Sequence, residues 1–211
     1  MKEFFSFDSP FMEWLTRIGD LMIANFLFLL FCLPVVTAGA ALTALNRTIQ
    51  GLLREDQEGI VSSFFTSFRE NFRQSTLAWL ALLFFFASMG CNCLLLLSFF
   101  RGSASTVLTW VILAACIFVI AVSSFFFPLA ARYRNTFREH LFHSTVLVIV
   151  KFPQAAMLTV LNLFPLLLAY FHLELFVHTL IFWLVIGFGF TSYLANSLLT
   201  PIFAFLESRH S

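Results

Sequence analysis

Charge in this chain is confined to a few places, and that confinement limits what it can fold into more than any other feature. Arg47, Arg54, Arg69 and Arg73 form one basic island, and Arg132, Arg134, Arg138 and Lys151 form a second. Long runs without ionisable side chains separate them. A mean hydropathy of +0.93 with 60% hydrophobic residues is too apolar for one water-facing core, so lipid must be the solvent. The net charge of +1 supplies none of the basic field with which nucleic-acid binders neutralise phosphates, and no nucleic-acid partner is expected.

A bilayer core about 30 Å thick takes roughly 20 apolar residues per helical crossing, which gives about five crossings here. The expected fold is all-α: a polytopic membrane helix bundle, one integral membrane domain over residues 1–211. The apolar runs place the spans at about 18–45 (broken at Pro34), 77–100, 106–131, 153–171 and 179–206. Pro34 breaks the first run because proline removes a backbone donor and clashes with the preceding turn. Ala38-Gly39-Ala40 resembles a leader cleavage site, but Glu3, Asp8, Glu13 and Asp20 outnumber Lys2 and Arg17 before it. A secretory leader begins positive, so this segment reads as a retained first helix.

Residues 46–76 and 132–152 read as interfacial. Leu42, Leu45, Ile49, Leu52 and Leu53 form an apolar stripe opposite Asn46, Arg47, Gln50 and Arg54. Such a pattern suits a helix lying at the membrane surface. Gly59, after Glu55-Asp56-Gln57-Glu58, is a plausible stop. A second amphipathic stretch follows, with Ile60, Val61, Phe64, Phe65, Phe68 and Phe72 on one face. Arg101-Gly102-Ser103 is expected to turn the chain between spans two and three, and residues 172–178 to form a short outer loop.

Positive residues collect in cytoplasmic loops. The two islands with Arg209 then mark the cytoplasmic side, leaving Lys2, Arg17 and Arg101 on the other. Five crossings put the N-terminus outside and the C-terminus in the cytoplasm; a re-entrant first segment would invert the N-terminus.

Each island also carries an S/T-x-x-E capping box, Ser67 to Glu70 and Thr136 to Glu139, which marks a helix start. Pro34, Pro128 and Pro201 each fall near an expected cytoplasmic span end. Together these features raise a possible parallel internal repeat: an interfacial helix followed by a membrane hairpin, twice.

The span interiors hold no Asp, Glu, Lys, Arg or His of the kind that couples transport to ions. Their strongest polar groups are Asn25, Asn92, Asn162 and Asn196. Those amides either line a polar pathway or bond helix to helix, the commoner use in membranes. Cys32, Cys91, Cys93 and Cys116 lie in apolar runs and read as reduced small hydrophobes. Glu139, His140 and His143 lack the HExxH order, and His172, Glu174 and His178 make no zinc pattern. No catalytic residue, metal ligand or cofactor site is expected. Arg69, Arg73, Arg134 and Arg138 are candidate contacts for anionic headgroups or for a docked protein.

The stretch LFLLFCLPVVTAGAALTAL at 27–45 resembles the signature of the YesL family of bacterial multi-pass membrane proteins, with Pro34, Thr37, Gly39 and Ala44 in the pattern. The resemblance continues through SFFTSFRENFRQST at 63–76, FPLAARYRNT at 127–136 and NSLLTPIFAFLE at 196–207. Ala40 replaces a proline common after that glycine, and Arg134 stands where an acidic residue is usual. The family has no established molecular activity. The resemblance implies a cell-membrane protein working beside a carbohydrate uptake system, with transporter subunits and membrane lipid as partners. The alternatives are a transporter or channel in its own right, and a membrane-embedded enzyme.

Overall fold

The structure, a computed structural model, describes residues 10–56, 58–99 and 103–207. Every regular element among them is helical: α1 (Pro10–Cys32), a 3-10 turn (Val35–Thr37), α2 (Ala38–Arg54), α3 (Ile60–Phe99), α4 (Ser103–Arg132), α5 (Phe137–Val150), α6 (Phe152–Phe171) and α7 (Leu173–His178). A final leg joins α8 (Leu180–Phe182) through a π turn at Trp183–Gly187 to α9 (Phe188–Glu207). Five segments are long and apolar enough to cross a membrane: Trp14–Cys32, Ile60–Leu96, Ser105–Arg132, Phe152–Phe171 and Leu180–Phe205. The chain is an all-α membrane bundle. Lys2, Glu3, Asp8, Gln57, Arg101, Gly102 and Arg209, which entered the sequence reading, lie outside the described residues.

The largest departure from expectation is α2. Instead of lying at the surface it is the buried centre of the bundle, packed against α1, α3, α4 and α9. Gly39, Ala40, Ala41 and Ala44 let neighbouring helices close in, and Asn46 and Gln50, expected on the polar face of a surface helix, are buried with them. An amphipathic pattern says only that a helix has two unlike faces. Here the polar face meets polar side chains of other helices. Glu55 then ends α2 in the left-handed conformation at φ 57°, before the turn into α3.

This placement changes the topology. Arg17, near the start of α1, pairs at 2.7 Å with Glu55, just beyond α2, so α1 and α2 form an antiparallel hairpin. Arg54 in turn feels Arg132 at the end of α4 and Glu207 at the end of α9. The beginning of α1 and the end of α9 therefore lie at the same end of the bundle. The expectation of opposite sides fails because α2 adds a return leg that its modest hydropathy concealed. Pro34 accordingly opens the hairpin turn, away from Arg17, and does not share the position of Pro128.

The two capping boxes part company as well. Thr136 is a true start: its Oγ1 accepts from the Glu139 N–H at 3.5 Å while Glu139 Oε2 accepts from the Thr136 N–H at 2.8 Å. Ser67 is buried inside α3, where Asn71 donates to its carbonyl at 3.1 Å. No proline or glycine interrupts residues 60–76, so one helix of 40 residues runs from the surface stretch into the span. In the second half Lys151 and Pro153 divide α5 from α6. The two expected repeat units thus share element order but not the form of their first helix. The expected loop at 172–178 is itself helical, as α7.

α5 is less solvated than its sequence position promised. His140, Ser144, Leu147 and Val148 are buried. The His140 ring packs on Phe126 of α4, the two centroids 5.8 Å apart. The other face, with Phe142, Val146 and Ile149, is exposed.

Candidate functional site

The asparagines singled out in the sequence do not converge on one path. Asn25 on α1 clamps the π turn, donating to the carbonyls of Trp183 at 3.3 Å and Leu184 at 2.7 Å and accepting from the Gly189 N–H at 2.9 Å. A π turn shifts the helical hydrogen-bond register, and Asn25 supplies partners to the groups around it. Gly189 permits the approach, since a Cβ there would lie 2.9 Å from the Leu21 carbonyl oxygen. Asn92 is exposed on α3 and donates to its own helix at Ser88, 2.8 Å away. Both serve helix structure.

Asn196 joins a buried network that the sequence reading missed in part. Its Nδ2 donates to Asn46 Oδ1 at 2.7 Å, and its Oδ1 accepts from Gln50 Nε2 at 2.9 Å. Gln50 also donates to the Pro128 carbonyl at 3.0 Å, and Ser192 Oγ donates to Asn46 Oδ1 at 3.3 Å. The network ties α2 to α4 and α9. Gln50 Oε1 is buried and, among the described residues, has no hydrogen-bond partner. Asn46 and Gln50 were legible as functional candidates only through one signal: a helix facing headgroups should carry more charge than Arg47 and Arg54 alone.

Beside this network lies a cleft of about 620 Å³ walled by α2, α3, α4, α6 and α9, with Phe28 of α1 and Phe176 of α7 completing it. Its walls are Leu, Phe, Trp and Pro side chains, and its polar groups are Asn46, Ser123, Ser124, Asn162, Thr191 and Ser192. Asn162 lines it and donates to Ser124 Oγ at 2.9 Å. No side chain that ionises lines it. This volume lies within the roughly 300–1,000 Å³ range of small-molecule sites. Chemically the cleft can hold an uncharged, largely apolar molecule; it offers neither a nucleophile with a base nor a charge to stabilise one.

Among the described residues, three ion pairs organise the basic end. Besides Arg17 with Glu55, Arg132 pairs with Glu207 at 2.8 Å and Arg134 with Glu70 at 2.6 Å. Arg134 thus ties the α4–α5 connection to α3. Arg132 also lies 4.6 Å from the ring centroid of Phe203. Hydrogen bonding from Arg132 holds the Glu207 carboxyl below its ordinary range, while burial, then Glu207 nearby, pushes the Tyr133 phenol up. Burial, then Arg132, lowers the Arg54 guanidinium. Arg69, Arg73 and Arg138 are exposed and, among the described residues, make no ion pair.

The motif residues of 34–44 build the hairpin. Pro34 adopts an extended conformation, and Thr37 Oγ1 donates within the turn, reaching the Phe31 carbonyl at 2.6 Å and the Pro34 carbonyl at 2.8 Å. Gly39 lies against α3: a Cβ there would lie 2.5 Å from Cβ of Trp79. Ala44 is fully buried in the cluster that contains Leu21, Leu45 and Phe64. Each is explained by packing or turn geometry.

Residues 21–93 match the model of a family described as "Protein of unknown function, DUF624". The matched segment runs from within α1 through α2 and most of α3. No curated protein and no solved structure matches the chain.

Proposed function

We propose that this chain is a non-catalytic, YesL-like component of the cell membrane that binds a protein partner, a subunit of a carbohydrate uptake system, through its basic end. In this reading the start of α1 and the end of α9 both face the cytoplasm, since the side richer in Arg and Lys resists translocation. The observation that carries the proposal is the set of exposed arginines that, among the described residues, make no ion pair: Arg69 and Arg73 on α3 and Arg138 on α5. Arg17, Arg132 and Arg134, in contrast, are committed to carboxylates of the chain itself. Exposed guanidinium groups suit bidentate recognition of a partner's carboxylates.

The transporter reading receives less support, because Asn25, Asn92 and Asn196 are engaged in helix packing or lie on the outside, and only Asn162 reaches the cleft. The test is co-purification with identified transporter subunits from native membranes. Reversing Arg69, Arg73 and Arg138 to Glu should cut recovery by about tenfold or more, as loss of charge-assisted contacts worth about 1.5–3 kcal/mol each requires. Unchanged recovery, or sugar movement into liposomes containing this chain alone, would overturn the proposal.

A further inference from the structure

The cleft carries more information than its size. Its polar groups are biased in one direction, and the bias follows from where each proton is already spent. Ser123 and Ser124 both donate to the Ile120 carbonyl, at 2.8 and 2.9 Å, and Thr191 donates to the Phe188 carbonyl at 2.9 Å. Ser192 donates to Asn46 Oδ1, and the Trp79 indole N–H donates to the Val35 carbonyl at 2.8 Å. Every hydroxyl and indole proton lining the cleft is therefore committed, while each hydroxyl oxygen keeps acceptor capacity, reduced at Ser124 and Ser192 by the amides of Asn162 and Asn196.

Asn162 follows the same logic. Because Ser124 gives its proton to Ile120, Asn162 meets it with one proton of its amide NH₂, which leaves Asn162 Oδ1 an acceptor and one amide N–H that suits an ester carbonyl. Two prolines add to the count. Pro128 in α4 and Pro165 in α6 both line the cleft and withhold the N–H that would close on the carbonyls of Ser124 and Leu161, which line it too. The cleft is thus apolar around the sides, uncharged throughout, and rich in acceptors.

Access comes from the side. α3 packs on α1, α2 and α4, whereas α6 packs on α4, α5, α7 and α9, and both contribute lining residues to the cleft without packing closely on each other. Leu83 on α3 and Leu166 and Asn162 on α6 are lining residues that remain exposed. In a membrane those residues meet acyl chains.

We propose that the cleft binds a neutral lipid bearing a free hydroxyl, of the diacylglycerol type, which enters from the bilayer between α3 and α6. The hydroxyl donates to the acceptors around Ser124 and Asn162, and an acyl chain lies along the apolar wall. A phosphate headgroup finds no cation here, and a fully esterified lipid has no proton to give. The occupant's class follows from those two exclusions.

The test uses the full chain in phosphatidylcholine nanodiscs and a diacylglycerol with a photoreactive group in one acyl chain. Labelling should map to α3 and α6 and be displaced by unlabelled diacylglycerol, but not by triacylglycerol, phosphatidylglycerol or free glycerol. Ala169→Phe should block it by filling the cleft. Asn162→Leu and Ser124→Ala, the latter adding no volume, should each weaken it about fivefold, as losing one intramembrane hydrogen bond of about 1 kcal/mol implies. Trp110→Ala, at an exposed site outside the cleft, should leave it unchanged. Equal displacement by triacylglycerol, phosphatidylglycerol or glycerol would overturn the proposal, as would undiminished labelling of the Ala169→Phe variant. The Arg69→Glu, Arg73→Glu, Arg138→Glu protein should bind the probe normally, which separates this result from that of the partner experiment.

Discussion

Gly39→Ala should destabilise the bundle, although alanine is the better helix former. The new methyl would lie 2.5 Å from Cβ of Trp79 and 3.1 Å from the carbonyl carbon of Ser75, with the Ser75 oxygen closer still. The Ser75 obstacle is the backbone of a 40-residue helix, so α2 must move away from α3. Overpacking of this kind costs about 1–3 kcal/mol. The same shift stretches the buried 2.8 Å bond from Thr43 Oγ1 to Ser75 Oγ, a loss of about 1 kcal/mol. Replacing glycine in a helix returns about 1 kcal/mol. The net is about 1–3 kcal/mol, a shift of about 5- to 150-fold in the folded-to-unfolded ratio.

Reversible unfolding in mixed micelles, titrated with SDS and followed by tryptophan fluorescence, measures this. Gly90→Ala is the internal control, because it lies on α3 with nothing within 4 Å of the place its methyl would take. It should be neutral or up to about 1 kcal/mol more stable. A Gly39→Ala protein as stable as the wild type, or one that moves with the Gly90→Ala control, would refute the close-approach argument.

Two further outcomes follow from buried polar groups. Asn196→Leu should cost about 1–2 kcal/mol in the same titration, since it leaves Gln50 Nε2 and Asn46 Oδ1 each short of a partner; an unchanged midpoint would mean that the network contributes nothing net. His140 is buried, and burial first, then His143, lowers its pKa, with Glu139 and the Tyr133 backbone opposing. Its unfolded state binds the proton more readily, so stability is fully present above the unfolded value of about 6.5 and falls as pH drops below it toward the folded pKa. Thermal melting should therefore decline between about pH 7.5 and 5, and His140→Phe should flatten that decline; identical slopes would remove His140 as the cause.

The membrane class and the five apolar spans were legible because lipid imposes a length and a polarity that few other environments share. The position of α2 was not. Asn46 and Gln50 have the same one-dimensional pattern whether they face headgroups or Asn196, and only the partner helices distinguish the two. The same limit applies to Ser67, whose capping-box spacing is genuine but whose preceding turn continues as helix, unlike that of Thr136. The candidate amides were half legible. Residue type identified Asn162 and Asn196, but the direction of each proton in the cleft depends on which carbonyl lies three or four residues behind each hydroxyl, and on tertiary contacts between α4 and α6.

The unbroken length of α3 has a mechanical consequence. At 1.5 Å per residue its 40 residues make a rod of about 60 Å, twice the thickness of the bilayer's hydrocarbon core. Arg69 and Arg73 ride on the rod well before Trp79, Leu83 and Phe86, which wall the cleft. A helix without a break transmits tilt along its axis, so a partner that pulled on the arginines would lever the cleft wall sideways, and a molecule wedged in the cleft would resist the pull.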